Sequence, residues 1–262
     1  MSANLALQLV NREQNLAIVR EAVLGFAAAL ALDALATDDL DTAVLEACKN
    51  VVWHAYDGTE GPLELELHAL EDAVQAVVRD RGIGIRPHIG EHREHHTGIG
   101  LPLIHVRARR VSYTNLSSGG TELRIGFELE GVQALEPLDA AHEPGQLAGW
   151  GGGEDGRIWL ALSPHALAGA VLPRTLRALW RVAELPAGGS EVLAPLSEAL
   201  VRAGAAGGLA LSAQGVEGAL VIRALGIDER GQRELRDWIE AGRGEAEPRD
   251  RGELELRLRA RE

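Results

Sequence analysis

The sequence predicts an α+β chain in which one strand-and-helix unit is followed by a second, degenerate copy of itself. Three observations lead there. Segments such as Leu63-Glu64-Leu65-Glu66-Leu67 alternate apolar and polar residues, the period of a strand with one buried face. Others repeat apolar residues at helical spacing. After a stretch rich in Gly and Pro, the same order of segments begins again. A length of 262 residues with 46% hydrophobic content suits two domains of common size. We place them at residues 1–130 and 157–262, with 131–156 as a linker.

Leu5, Leu7 and Leu9 alternate with smaller or polar residues and open the first unit as a strand. From Gln14, Leu16, Ile18, Val19, Ala22, Val23 and Phe26 keep helical spacing, and this helix is expected to run on toward Asp33. Thr37, Asp38 and Asp39 are N-cap candidates for a second helix carrying Leu40, Val44, Leu45, Cys48, Val51 and Val52, which Gly58 should end. Glu46 and Asn50 then share one face, since residues four apart stack along a helix. The alternating run at 63–67 and the apolar run at 73–78 read as an antiparallel pair ending at Arg79-Asp80. Gly82 to Thr97 holds Pro87, Gly90, histidines and charges without apolar periodicity, which marks a loop. A helix follows near Gly100 with Leu101, Leu103, Ile104 and Val106, and Thr121 to Leu129 alternates as a last strand.

In the second half, Ile158 to Leu162 answers the opening strand, Pro164 to Glu184 the first helix and Ser190 to Arg202 the second. Leu209 to Ala213 and Ala219 to Arg223 answer the paired strands, followed by a helix at Arg233 to Glu240 and a strand at Glu253 to Leu258. Aligning Val221 to Ile227 with Val77 to Ile83 sets Asp80 against Ala224, Gly84 against Asp228 and, further back, Asn50 against Arg202.

A formal net charge of -13 disfavours nucleic-acid and anionic membrane partners, because both would repel the chain. The most apolar stretch, Val23 to Leu35, is broken by Gly25 and Asp33 and falls short of the ~20 residues of a membrane span. Cys48 is the single cysteine, and Met1 to Val10 lacks the layout of a signal peptide, so a cytoplasmic location is expected.

Four segments stand in fixed order in the first half: Glu46-Ala47-Cys48-Lys49-Asn50, Asp80-Arg81-Gly82-Ile83-Gly84, Thr97-Gly98-Ile99-Gly100-Leu101 and Gly119-Gly120-Thr121. With His54-Ala55-Tyr56 behind the first, they resemble the motifs of the GHKL ATPase superfamily over about residues 5 to 130. Within it they are most similar to the bacterial anti-sigma-factor serine/threonine kinases. The resemblance implies a two-layer α/β sandwich (the Bergerat ATPase fold) that binds ATP and Mg²⁺. It implies that Asn50 holds Mg²⁺ through a neutral oxygen, as a hard cation prefers, and that Glu46 is the catalytic base. Asp80 would accept from the adenine amino group, with Gly82 and Gly84 permitting close backbone approach. Gly98, Ile99, Gly100 and Leu101 would meet phosphate at a helix N-terminus, and Thr121 would bring a hydroxyl near the base. Gly119-Gly120 could also be a plain turn, and Lys49 could reach a phosphate or pair with Glu46. The loop before Thr97 matches the family's ATP lid but is unusual in its histidines, His88, His92, His95 and His96.

The implied activity is ATP-dependent phosphorylation of an anti-anti-sigma (STAS) protein, combined with sequestration of a sigma factor by partner switching. A non-catalytic ATP-binding interaction switch is the alternative, and a histidine-kinase-like ATPase the third reading. The second copy lacks the pocket residues, so no nucleotide is expected there. The repeat suggests an internal pseudo-dimer, with a homodimer as the other arrangement.

Overall fold

The alternation that begins the chain becomes β1 (Leu5–Val10), whose Leu5, Leu7 and Leu9 face the core. In this computed structural model, residues 3–84, 100–138, 157–163, 165–204, 208–225, 227–241, 245–248 and 254–259 are described. Helices α1 (Leu16–Ala29) and α2 (Ala34–Asn50) precede the hairpin β2 (Pro62–Leu70) and β3 (Ala73–Asp80). Helix α3 (Gly100–Arg107) and strands β4 (Arg110–Asn115) and β5 (Thr121–Glu128) complete the first half. The second half runs β6 (Ile158–Leu162), α4 (His165–Val182), α5 (Leu193–Ala203), β7 (Leu209–Val216), β8 (Ala219–Leu225), α6 (Glu229–Glu240), β9 (Glu245–Pro248) and β10 (Leu254–Arg259). The two halves therefore list their elements in the same order.

All ten strands join one sheet in the order β4-β5-β3-β2-β1-β6-β7-β8-β10-β9. Every pairing is antiparallel, including the central one between β1 and β6. One row of register partners crosses eight strands: Leu123, Val78, Leu65, Leu7, Leu160, Leu211, Ala224 and Leu254. All eight side chains are buried. The order of strands reads the same outward from Leu7 and Leu160, so Val78 corresponds to Ala224. This differs by two residues from the sequence alignment, which set Asp80 against Ala224. A slip of two keeps each side chain on its face of the sheet, so apolar alternation cannot reveal it. The counterpart of Asp80 becomes position 226, outside the described residues.

Helices cover the face that carries the apolar row, and α1 packs on α4 across the central strand pair. Gly25 makes this approach close: a Cβ there would stand 2.8 Å from the Val171 Cα. Glu21 of α1 meets Arg174 of α4 at 3.2 Å on the rim. Both helices end alike. Ala31 and Glu184 take positive φ, 52° and 53°. Leu32 N donates to Ala27 O (3.0 Å) and Leu185 N to Trp180 O (3.1 Å), the closing bonds of a Schellman motif. Glycine usually fills this position, which is why the sequence reading carried the first helix on toward Asp33.

Three further differences have local causes. The N-cap of α2 is Asp33, whose carboxylate accepts from Ala36 N at 2.8 Å, and not Thr37, Asp38 or Asp39. Helix α6 begins at Glu229 behind its cap Asp228, earlier than the apolar residues suggested. Strands β4 and β9 went unread; they are the two edges of the sheet, short and paired on one side only.

On the opposite face β2, β3 and β5 carry a polar ladder from Glu66 to Arg79 (2.6 Å), Arg79 to Glu122 (2.6 Å) and Glu122 to Arg124 (2.7 Å). The first part of the segment read as a linker lies against this face. Leu135 N and Leu138 N donate to Ala69 O and Ala3 O, and Leu138 is buried with Ala6, Trp159 and Ala161. Residues 139–156 are outside the described part. No helix of the described residues is long and apolar enough to cross a membrane.

Gly25→Leu should lower the denaturation midpoint, with a loss of about 1–3 kcal/mol from overpacking. Chemical unfolding would measure it, and an unchanged midpoint would contradict the close α1–α4 contact.

Candidate functional site

Helix α2 carries the first group of candidate residues on its last turns. Glu46 is partly buried, and its Oε1 accepts from Lys49 Nζ at 2.5 Å. Of the two roles open to Lys49, the ion pair is therefore the one found. Asn50 lies one turn on, and its Nδ2 is buried without a hydrogen-bond partner among the described residues. Burying an amide without a partner costs about 1–3 kcal/mol, which marks a place where an outside acceptor would be stabilising. Both side chains face the start of α3. A Cβ on Gly100 would stand 3.2 Å from Glu46 Oε2 and 3.5 Å from Asn50 Oδ1, so a larger residue would fill the space between them. Helix α3 runs back along α2, anchored by buried Ile104 and by Arg107, which donates to Asp38 (2.9 Å) and Asp39 (2.7 Å).

The second group gathers where β3 ends. Asp80 is the register partner of Leu63, so its side chain points to the helix-covered face, where it is 5% exposed. Burial pushes its pKa up. Hydrogen bonds from the Gly82 N–H and from the backbone and hydroxyl of Thr121 oppose that shift without cancelling it. The Gly82 bond to Asp80 Oδ1 measures 2.8 Å. Two glycines let three chain segments meet here. A Cβ on Gly82 would fall 1.9 Å from Ala55 O, and one on Gly120, where φ is +91°, would fall 2.0 Å from Asp80 O. No side chain fits at either position. Gly84, with φ +73°, faces Asn115 across the mouth of the turn.

One continuous helix connects the two groups. After Asn50, α2 continues as a π turn, Val51–Ala55, and Ala55 O accepts from Ile83 N at 2.8 Å. Five residues of helix, about 7 Å of rise, separate the amide of Asn50 from the residue that touches the Asp80 turn. Tyr56 follows, donating to Pro62 O (2.5 Å) and accepting from Arg81 N (2.8 Å).

The structure thus places Glu46, Asn50 and Gly100 in one group and Asp80, Gly82, Gly84 and Thr121 in another. Leu101 is 46% exposed. Gly98, Ile99 and the four histidines of the loop lie outside the described residues. Tyr56 and Asn115 were given no role by sequence reasoning, and nothing in their spacing could have supplied one.

The corresponding region of the second half is built differently. Glu198 and Arg202 form an exposed ion pair at 3.8 Å. Residues 226–228 alone connect β8 to α6, where residues 81–99 connect β3 to α3. Gly204 pairs with Ile227, and a Cβ on Gly231 of α6 would stand 2.6 Å from Ala203 O, so α6 sits directly on the end of α5.

Residues 9–127 match the family model of the histidine kinase-like ATPase domain, so the first half carries a GHKL-type ATP-binding domain. Two curated relatives are similar within it. The anti-sigma F factor of Clostridium beijerinckii is 37% identical over 87 residues, 32% of this chain and 61% of that protein. The serine-protein kinase RsbW of Halalkalibacterium halodurans is 42% identical over 65 residues, 25% of this chain and 40% of that protein. The matched segments thus span about half the length of these relatives. The crystal form III structure of TP0453 aligns over 98% of this chain and 91% of its own, at 8% identity and a TM-score of 0.36, too distant a likeness to bear on fold or function.

The residues present fit a nucleotide with a divalent cation: Asp80 is an acceptor held by fixed donors, the unpartnered Nδ2 of Asn50 suits an anionic phosphate oxygen, and its Oδ1, which faces Gly100, is a neutral oxygen of the kind a hard cation takes. Asp80→Asn should weaken ATP binding about tenfold or more, as loss of a hydrogen bond to a charged group implies. Protonation removes the acceptor charge, so affinity in the unsubstituted protein should also fall as pH is lowered, starting at a higher pH than an ordinary aspartate would give. Calorimetric titration across pH would show it; an identical pH profile in Asp80→Asn would contradict the assignment.

Proposed function

We propose that this chain is a cytoplasmic ATP-dependent protein serine/threonine kinase that also acts as an anti-sigma factor. It would phosphorylate a serine on an anti-anti-sigma protein of the STAS type and sequester a sigma factor, exchanging one partner for the other. The observation that carries this reading is the placement of Glu46 and Asn50 against the start of α3, on the same helix whose end touches the Asp80 turn. The names of the two relatives, an anti-sigma factor and a serine-protein kinase, support it.

In this reading Asp80 accepts from the adenine amino group while Thr121 and Gly82 hold its carboxylate in place. Gly98, Ile99, Gly100 and Leu101 would present backbone N–H groups to the phosphates. Asn50 would hold Mg²⁺ through its amide oxygen, and the ion, when bound, offsets charge on the transferring phosphoryl group. Glu46 takes the proton of the serine hydroxyl as the serine oxygen bonds to the γ-phosphorus and the bond from that phosphorus to the bridging β,γ-oxygen breaks, releasing ADP. Lys49 neutralises Glu46 at 2.5 Å, so Glu46 is a free base only when Lys49 turns to another anion.

Residues 157–262 are, in the same proposal, a degenerate copy of residues 1–130 without nucleotide motifs, and the two form an internal pseudo-dimer through β1–β6 and α1–α4. The shared element order, the mirrored strand order and the matching helix ends support this. A non-catalytic ATP-dependent switch is the second reading, favoured by the Lys49–Glu46 pair.

Incubation with labelled ATP and candidate anti-anti-sigma proteins separates them. We expect phosphoserine on the partner, and a loss of about 10²–10⁴-fold in Glu46→Ala with ATP affinity retained. Binding of ATP and partner without transfer would favour the switch. Unchanged transfer in Glu46→Ala would overturn the assignment of the base.

A further inference from the structure

The backbone that follows Asp80 is held by an uncommon arrangement of three successive amides. Arg81 N donates to the Tyr56 hydroxyl (2.8 Å), Gly82 N to Asp80 Oδ1 (2.8 Å) and Ile83 N to Ala55 O (2.8 Å). Two of the three acceptors belong to neighbouring residues at the end of the π turn. Such turns are frequent at functional sites, and this one brings Ala55 and Tyr56 onto the turn. The Tyr56 hydroxyl also uses its one donor, which it gives to Pro62 O at 2.5 Å. Pro62 begins β2, and its neighbour Leu63 pairs with Asp80, so one hydroxyl joins the start of β2 to the residue after the end of β3. The ring packs on Gly61, where a Cβ would lie 2.1 Å from the nearest ring atom. Half-burial pushes the phenol up to about 12, so it stays a donor through the physiological range.

We propose that Tyr56 is a positioning residue for base recognition, fixing through the Arg81 amide the angle at which the Asp80 carboxylate meets the adenine amino group. This rests on the ATP reading above and adds to it a residue that touches neither phosphate nor base. The chain contains its own comparison. Both of its tyrosines, Tyr56 and Tyr113, are in the first half. In the second half α5 stops at Ala203 and Gly204 pairs with Ile227 directly. The hydroxyl bridge stands with the nucleotide residues in the first half, and among the described residues of the second half, which contains no tyrosine, neither is found. A role in folding alone would weaken every nucleotide equally; a role in aiming Asp80 acts only on a ligand that carries the amino group.

The test measures dissociation constants of the full chain for Mg²⁺ complexes of ATP and of purine riboside triphosphate, which lacks only that amino group. The unsubstituted protein should prefer ATP about tenfold or more. Tyr56→Phe keeps the ring and removes the hydroxyl; it should weaken ATP about five- to tenfold and leave the purine analogue within about twofold, so that the preference collapses. Combining it with Asp80→Asn should add nothing for ATP, as expected of groups acting as one unit. Equal losses for both nucleotides, or no loss for either, would overturn the role of Tyr56 while leaving the ATP site in place. Failure of the unsubstituted protein to bind ATP, or to distinguish the two, would overturn the base-recognition reading and this role with it. Should Tyr56→Phe not fold, Arg81→Pro removes the donor of the same bond and should give the same selective loss.

Discussion

The pairing of β1 with β6 is the interaction on which the rest of the molecule depends. Without it each half would present a long apolar strand edge and an apolar first helix to solvent, an arrangement prone to association. With it, Leu7 and Leu160 become the middle of a buried row that crosses eight strands, and α1 and α4 close over the join. Gly25 sets how closely those helices approach, because their separation is fixed by backbone rather than by adaptable side chains.

The same frame leads to different outcomes at its two outer parts. In the first half, residues 81–99 lie between the strand and the helix that follows it, and α3 is held to α2 by Arg107 and Ile104 with Gly100 facing polar side chains. In the second, residues 226–228 make the same connection and α6 rests against the backbone of α5. An amide without a partner among the described residues and a buried carboxylate are costly to keep, since both groups are desolvated. Asp80 shows that cost in its raised pKa. In the second half, among the described residues, Gly204 pairs with Ile227 and Gly231 lies against Ala203 instead. The second half supplies the strand that pairs with the edge of β1.

Much of this was legible in the sequence. Period-two alternation found β1, β2, β5 and β10, while β6, apolar and buried on both faces, was read from its likeness to β1, and Glu46 and Asn50 were correctly set one turn apart on a helix. The register between the halves was not legible: the strand order sets Val78 in the same place as Ala224, which differs from the sequence alignment by an even number of residues, and both alignments bury the same faces. The helix ends at Ala31 and Glu184 escaped notice because neither is glycine. Tyr56 was quoted only as part of a motif. Its function depends on where Pro62 and Arg81 come to lie, and that follows from the π turn and the hairpin together rather than from any local pattern.

The central claim is that one half of a paired structure binds nucleotide and the other does not. Calorimetric titration of the intact chain with ATP and Mg²⁺ tests it most directly, because stoichiometry is read independently of affinity. We expect one ATP per chain. Two per chain, or one per pair of chains, would contradict the account.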